Sequence, residues 1–332
     1  MSFKPTASEI ANLWQFIISN QAHLCMLEHW IQHAEDKDLK KKLQHSKDVA
    51  KQIVKDGTEL YIKAGFPAPI GFSLAQDLNL ETPRLMSDKL VIFTLQILSE
   101  YGLYGYGLNL GKTETPEVNS FFKQCLSDSV EIYHGFRDLI KNKGYGHQPV
   151  IIPPPNEAEF VQKQSFLVGW LGEKRPVNAL EIDNLIFSLR GAILAKSLLM
   201  VFSQIAKDTD LYNHCSKGKE MIGKRLEKIQ SFNTAENLPF HPTYETEITD
   251  STVSPFSDRL LMFEALALTQ IAIVRYGNAL SSVVRRDLSV MFAKFIVETG
   301  FYLEDGLKLS IDKNWLEQPP LASDRDKLRN DS

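Results

Sequence analysis

The stretch that decides the fold is residues 66–86, Phe66-Pro-Ala-Pro-Ile-Gly-Phe-Ser-Leu-Ala-Gln-Asp-Leu-Asn-Leu-Glu-Thr-Pro-Arg-Leu-Met86. Its prolines and glycine disfavour a helix, although strong helical patterns precede and follow it. An extended segment of this length spans about 70 Å, whereas a helix of about 25 residues is only about 38 Å long. The connection can therefore return along a whole helix, which would leave the helices on either side of it parallel.

The sequence around this connection predicts four helices in the first half of the chain. Apolar residues recur at three- and four-residue spacing from Ser8 to Ala34 and from Asp38 to Ala64. Ser87 is a suitable N-cap for the third helix, and the fourth is predicted from Pro116 to about Lys143. The breaks within each pair are short, so each pair should form an antiparallel hairpin. Two hairpins joined by one long crossover define the ferritin-like bundle.

The same plan occurs twice along the chain. Glu9 recurs as Glu181 at a shift of 172 residues, and Ser87 recurs as Ser257 at a shift of 170. The conserved order of such matches, and their coincidence with helix ends, indicates a tandem duplication. The helices and crossover of the second copy are predicted at Ala179–Ala206, Asp210–Asn233, Ser257–Leu280, Val284–Lys313 and Thr234–Phe256.

The predicted fold class is therefore all-α, with two tandem ferritin-like four-helix bundles. We expect the first bundle at residues 1–147 and the second at residues 179–332. Residues 148–178 between them contain three consecutive prolines and one short apolar patch, 166–170. This composition favours a linker with one short helix that bridges the bundles.

Composition narrows the classes of partner and the cellular location. Lys and Arg number 37 against 41 Asp and Glu, and the resulting net charge of −4 gives no electrostatic reason to expect nucleic-acid binding. Apolar runs fall short of the roughly 20 residues that span a bilayer, so we expect no membrane span. The three cysteines are widely spaced, which favours a reducing cytoplasm over a disulfide framework. A protein partner or self-association stays open.

Three strings at element boundaries resemble a known family. They are Thr249-Asp-Ser-Thr-Val-Ser-Pro-Phe-Ser-Asp258, Trp315-Leu-Glu-Gln-Pro-Pro320 and Gly172-Glu-Lys-Arg-Pro176. Together they resemble a family of tandem ferritin-like bundle proteins of spore-forming Gram-positive bacteria that is defined only as a domain of unknown function. The resemblance implies the same fold over the whole chain, and a spore-associated location as the alternative to the cytoplasm. It implies no activity, and no functional residue is carried over from it.

The first copy contains half of a metal-binding motif. Ferritin-like carboxylate proteins hold two metal ions with glutamates from two helices and Glu-x-x-His from the other two. Glu131 and His134 form one such pair on the fourth helix, whereas the second helix offers only His45. Counting residues along the bundle places Glu28 level with His45 and His134, with Glu100 deeper. These five residues are the candidates for a centre of iron, manganese or zinc.

Other features leave two main functions open. The repeat places Phe301 and Glu304 at the positions of Glu131 and His134, which argues against a second metal centre. The histidine pair His29 and His33 has the spacing of a surface metal site on a helix, although the helix dipole also favours histidine there. The sequence thus favours a non-catalytic structural or binding protein over a metalloprotein with one degenerate centre. A carrier of an apolar ligand is a third hypothesis.

Overall fold

The computed structural model describes residues 3–146, 149–169, 174–239 and 241–325. Within these ranges the chain forms two bundles of four long helices each, together with one short helix. The first bundle contains α1 (Ala7–His33), α2 (Lys37–Lys63), α4 (Asp88–Leu110) and α5 (Pro116–Asn142), with the short α3 (Leu74–Asp77) in its crossover. The second bundle contains α6 (Ala179–Ile205), α7 (Thr209–Ala235), α8 (Asp258–Ser282) and α9 (Arg286–Asp312).

Local capping explains where the long helices begin. Thr6 forms a capping box with Glu9 at the start of α1, and Asn178 forms the same arrangement with Glu181 at the start of α6. Ser87 caps α4 with its hydroxyl oxygen, which accepts a hydrogen bond from the backbone N–H of Leu90. The two copies therefore start equivalent helices with equivalent chemistry.

Two carboxylates, one buried and one half-buried, show which helix ends lie next to each other in the first bundle. Asp88 at the start of α4 accepts hydrogen bonds from the backbone N–H of Glu35 (3.1 Å) and Asp36 (2.8 Å), which form the turn between α1 and α2. Glu9 at the start of α1 accepts from the backbone N–H of Thr115 at 2.7 Å, just before α5. Thus α2 and α4 begin at the same end of the bundle and run parallel. The predicted crossover is confirmed.

The second bundle repeats these ties at equivalent positions. Asp258 accepts from the backbone N–H of Lys207 and Asp208, both at 3.0 Å. Glu181 accepts from the backbone N–H of Arg285 at 2.9 Å. Lys313 forms an ion pair with Asp208 (2.6 Å), as Lys143 does with Asp36 in the first bundle. The internal repeat seen in the sequence is therefore a repeat of contacts.

The two crossovers pair with each other about an approximate two-fold axis. Leu78 forms an antiparallel backbone bridge with Phe256, and Met86 forms the reciprocal bridge with Ile248. Leu78 corresponds to Ile248 in the repeat, and Met86 to Phe256. Each bundle thus presents the same segment to the other, as the subunits of a symmetric dimer do.

Side chains beside these bridges obey the same symmetry. The Asp77 carboxylate accepts a hydrogen bond from the Ser257 hydroxyl (2.7 Å) and pairs with Arg259 (3.1 Å). In the reciprocal place, the Glu247 carboxylate accepts from the hydroxyl of Ser87 at 2.6 Å and pairs with Lys89 at 3.0 Å. Each crossover therefore supplies an acid to the N-terminus of the third long helix in the opposite bundle, where the helix dipole favours negative charge.

One apolar core runs through both bundles. It contains buried residues of all eight long helices. Two aromatic pairs that are related by the repeat pack at the crossovers. Phe72 packs on Phe263 with ring centroids 5.0 Å apart, and Tyr244 stacks on Phe93 at 4.8 Å. A smaller cluster that includes Leu13, Ile53 and Phe122 fills the other end of the first bundle.

Within the described part of the chain, two helices are long and apolar enough to cross a membrane by length and composition alone. They are α6 and α8, whose most apolar 18-residue windows are 72% and 50% buried inside the protein. The sequence-based expectation of no membrane span did not single them out. Burial against neighbouring helices is what the core helices of a bundle require.

The linker and the crossovers differ in detail from the sequence-based expectations. The short helix expected at 166–170 is a 3-10 turn at Gln164–Leu167, and Trp170 lies outside the described residues. The string at 172–176 lies partly outside them, as do residues 147 and 148 at the expected bundle boundary. The short α3 and the bridges between crossovers were not predicted, because neither has a periodic apolar pattern.

Replacing Asp258 by Ala should destabilise the protein. The substitution removes a charged acceptor and leaves two backbone N–H groups of the α6–α7 turn without a partner, so we expect a loss of about 1–3 kcal/mol. Urea unfolding measured on the full chain tests this. The exposed Asp48 on α2 provides the control, because Asp48→Ala removes the same charge without touching a connection. Equal stabilities of the two variants would contradict the role given to Asp258.

Candidate functional site

The structure brings two of the five predicted metal ligands together. His45 on α2 and Glu131 on α5 approach to 3.3 Å between Nε2 and Oε1. The contact lies on the surface, since the side chains are 40% and 71% exposed. His134, one turn further along α5, is exposed and has its ring edge against Tyr133. In the structure, His45 and Glu131 therefore form a surface pair, and the exposed His134 lies next to it.

The two remaining candidates have basic partners. Glu28 on α1 pairs with Lys47 on α2 at 2.8 Å. Glu100 on α4 pairs at 2.9 Å with Arg190 of the second bundle and also accepts a hydrogen bond from Gln96. Glu100 therefore belongs to the contact between the bundles. Both carboxylates are neutralised by the protein itself, which lowers their capacity to bind a cation.

The five residues do not form a single cluster. Among the described residues, no group of three or more His, Cys, Asp or Glu side chains is placed to hold a metal ion. The reason is the direction in which each side chain points around its helix axis. Sequence separation gives only the position of a residue along the axis, and the core-facing side of α5 is occupied by Cys125, Phe136 and Leu139. Glu131 and His134 consequently face outward.

The histidine pair on α1 is placed differently from expectation. His29 is almost completely buried and packs against Phe256 from the second crossover, with ring centroids 5.4 Å apart. His33 lies 4.6 Å from His29, and burial lowers the pKa of both, that of His29 to about 3. The expected surface position is therefore wrong for His29, and the ring is neutral at pH 7.

Other buried titratable groups lie in the second bundle. The imidazole of His214 stacks on Tyr302 with centroids 4.2 Å apart and nearly parallel planes, and burial lowers its pKa to about 4. Glu264 on α8 is half-buried, and desolvation raises its pKa to about 7. Neither arrangement resembles a nucleophile with an adjacent general base.

Sequence reasoning overlooked two buried arginines that lie at one cavity of the second bundle. Arg225 on α7 and Arg275 on α8 are 3% and 5% exposed and line one internal cavity. The position of Arg225 along its helix could have indicated burial, because it lies between Ile222 and Ile229 on an apolar face of α7. Because arginine is almost always a surface residue, that position was not taken as evidence of burial.

The helix order, the crossovers and the bundle interiors together define a double ferritin-like bundle. The chain belongs to the family described as protein of unknown function DUF3231, whose model matches residues 4–157 and 165–328. Each matched segment contains one bundle, so the family unit is the repeat identified in the sequence.

Other comparisons give distant likenesses. No curated protein matches the chain. The chain is similar to a candidate spore coat protein of Bacillus halodurans C-125, with a TM-score of 0.42 and 18% identity over 45% of this chain and 98% of that one. It is also similar to a two-domain protein of Anabaena variabilis with DJ-1/ThiJ/PfpI-like and ferritin-like domains. That likeness has a TM-score of 0.34 and 13% identity over 58% of this chain and 53% of the other.

Replacing His214 by Phe should weaken the pH dependence of stability. The unfolded chain takes up a proton on this imidazole near pH 6.5, whereas the folded protein does so only near pH 4. Wild-type stability should therefore fall as the pH is lowered through that window, by at most about 1.4 kcal/mol per pH unit for one group. His214→Phe keeps a ring against Tyr302 and removes this proton uptake.

The measurement is urea unfolding at several pH values between 6.5 and 4. We expect a smaller slope of stability against pH for His214→Phe than for the wild type. The exposed His134 provides the control, and His134→Gln should leave the slope unchanged. An identical slope in His214→Phe and the wild type would show that His214 is not a source of the pH dependence.

Proposed function

We propose that the protein acts without catalysis, as a structural or binding component built from two ferritin-like bundles. The observation that supports this most directly is the pairing of Glu28 with Lys47 and of Glu100 with Arg190. These are the carboxylates that the sequence offered as metal ligands from α1 and α4. Here they hold helices together within one bundle and between the two.

The joined bundles also favour a structural role. The crossovers form reciprocal backbone bridges, and a shared apolar core connects the two bundles. Such an interface restrains the bundles relative to each other, because bridges and core would have to separate together. We further propose a cytoplasmic location, supported by three cysteines that are all free and buried. A protein partner or self-association is part of the same proposal.

A metalloprotein is the second candidate, and one contact favours it. His45 and Glu131 lie on adjacent helices at 3.3 Å, and His134 follows Glu131 by three residues. A shift of the exposed His134 side chain could add a third ligand from the same helix face. Iron, manganese or zinc would suit this set of imidazole and carboxylate ligands.

Elemental analysis of the full chain, purified without a histidine tag, distinguishes the two functions. After incubation with Fe²⁺, Mn²⁺ or Zn²⁺ and desalting, we expect metal far below one equivalent. His45→Ala should not change that value. The control is Glu304→Gln, which alters the position equivalent to His134 in the second bundle.

The opposite result is equally specific. One equivalent of metal in the wild type and in Glu304→Gln, lost in a folded His45→Ala protein, would replace our proposal with the metalloprotein alternative. Circular dichroism of each variant establishes that the helices are retained.

A further inference from the structure

The interior of the second bundle contains an unusual excess of hydrogen-bond donors. A cavity of about 20 Å³ lies among α4, α6, α7, α8 and α9, and Arg225, Arg275 and Tyr101 all line it. The Nε atoms of both arginines and the hydroxyl of Tyr101 are buried without a hydrogen-bond partner. A buried donor without an acceptor costs about 1–3 kcal/mol, so three of them at one cavity require an explanation.

Arg275 is enclosed by apolar and aromatic groups. Its guanidinium lies 5.1 Å from the ring centre of Tyr101 and 5.3 Å from that of Phe187. It packs so closely on Gly191 that a Cβ there would lie 1.3 Å from Nη1. Burial lowers the pKa of Arg275 to about 10, so the group stays charged at neutral pH. The nearest acid with an effect on it, Glu100, already pairs with Arg190.

Arg225 reaches the cavity from α7. Its Nη1 donates to the hydroxyl of Thr299 at 2.7 Å, and its Nη2 lies 3.1 Å from the sulfur of Met221. Glu298 lies 3.5 Å from Nη2, but its side chain is 41% exposed and also pairs with Lys294. Glu298 therefore neutralises the charge of Arg225 only in part, and it does so from the solvent-exposed side.

We propose that this cavity binds one small monovalent anion of the size of chloride or nitrate, between Arg225 and Arg275. An anion accepts from several donors at once, whereas a water molecule must also place two hydrogens on acceptors. The small volume suits an ion of a few atoms and excludes one as large as gluconate. Binding would place a counter-ion beside Arg275 and complete the partial neutralisation of Arg225.

The site is particular to the second bundle. The repeat places Ile53 at the position of Arg225 and Gly105 at the position of Arg275. In the first bundle the ring of Phe16 approaches to 3.2 Å from where a Cβ on Gly105 would lie, so an arginine has no room there. The inference is independent of the proposed structural role and of the metal alternative, because it concerns different residues in the other bundle.

Thermal unfolding of the full chain in two salts tests the proposal. Sodium chloride is compared with sodium gluconate at equal ionic strength, since gluconate is too large for the cavity. We expect the Tm to be higher in chloride by about 2 °C or more, because an anion that binds only the folded state stabilises it. Sodium nitrate should act like chloride.

Arg275→Met supplies a result that simple damage to the fold would not produce. Methionine removes the buried charge and keeps an apolar chain of similar length. The variant should show no difference between chloride and gluconate, and in gluconate it should be more stable than the wild type. The control is the exposed Arg137 in the first bundle, because Arg137→Met should keep the wild-type response to chloride.

A second measurement keeps the test decisive if Arg275→Met does not fold. Chloride-35 nuclear magnetic resonance of the wild type should show line broadening that nitrate displaces and gluconate does not. Equal Tm values for the wild type in chloride and gluconate, or the absence of displaceable broadening, would overturn the proposal. A chloride response that persists in a folded Arg275→Met protein would overturn it as well.

Discussion

The arrangement depends on carboxylates that accept hydrogen bonds from the ends of neighbouring helices. Glu9 and Asp88 each bind backbone N–H groups of a connection distant in sequence, and Glu181 and Asp258 repeat the pattern. Such N–H groups at helix starts have no partner within their own helix. A carboxylate that satisfies them determines which helix ends meet. Burial alone would raise the pKa of Glu9, but these hydrogen bonds outweigh it and hold the pKa below its usual value.

The duplication provides the contact between bundles as well as the bundles themselves. Each crossover pairs with the other by reciprocal bridges, which is the geometry of a symmetric dimer contained in one chain. Fusion then allowed the halves to diverge. Arg190 joins Glu100 across the interface, whereas the repeat places Ile18 and Gln270 at the reciprocal positions. The interior of the second bundle contains Arg225 and Arg275, whereas the repeat places Ile53 and Gly105 at their positions in the first.

Helix positions were predictable because their signals are local. Apolar spacing, Ser87 as N-cap and the proline-rich crossover predicted every long helix to within about two residues. The candidate site was less predictable. Distances along a helix axis follow directly from sequence separation, and His45 contacts Glu131 on the neighbouring helix. Which way each side chain points around the axis depends on neighbouring helices, and His134 faces outward because Phe136 faces the core.

The sequence by itself determined the number of long helices, their approximate bounds, the duplication and the parallel course of the middle helices. These features follow from apolar periodicity, helix caps and the length of one connection. Each of these signals lies in a continuous stretch of the sequence. The tertiary structure decided which polar side chains meet. It gave Glu28 and Glu100 basic partners, and it buried His29 and Arg275, because contacts between distant segments depend on the rotation and packing of whole helices.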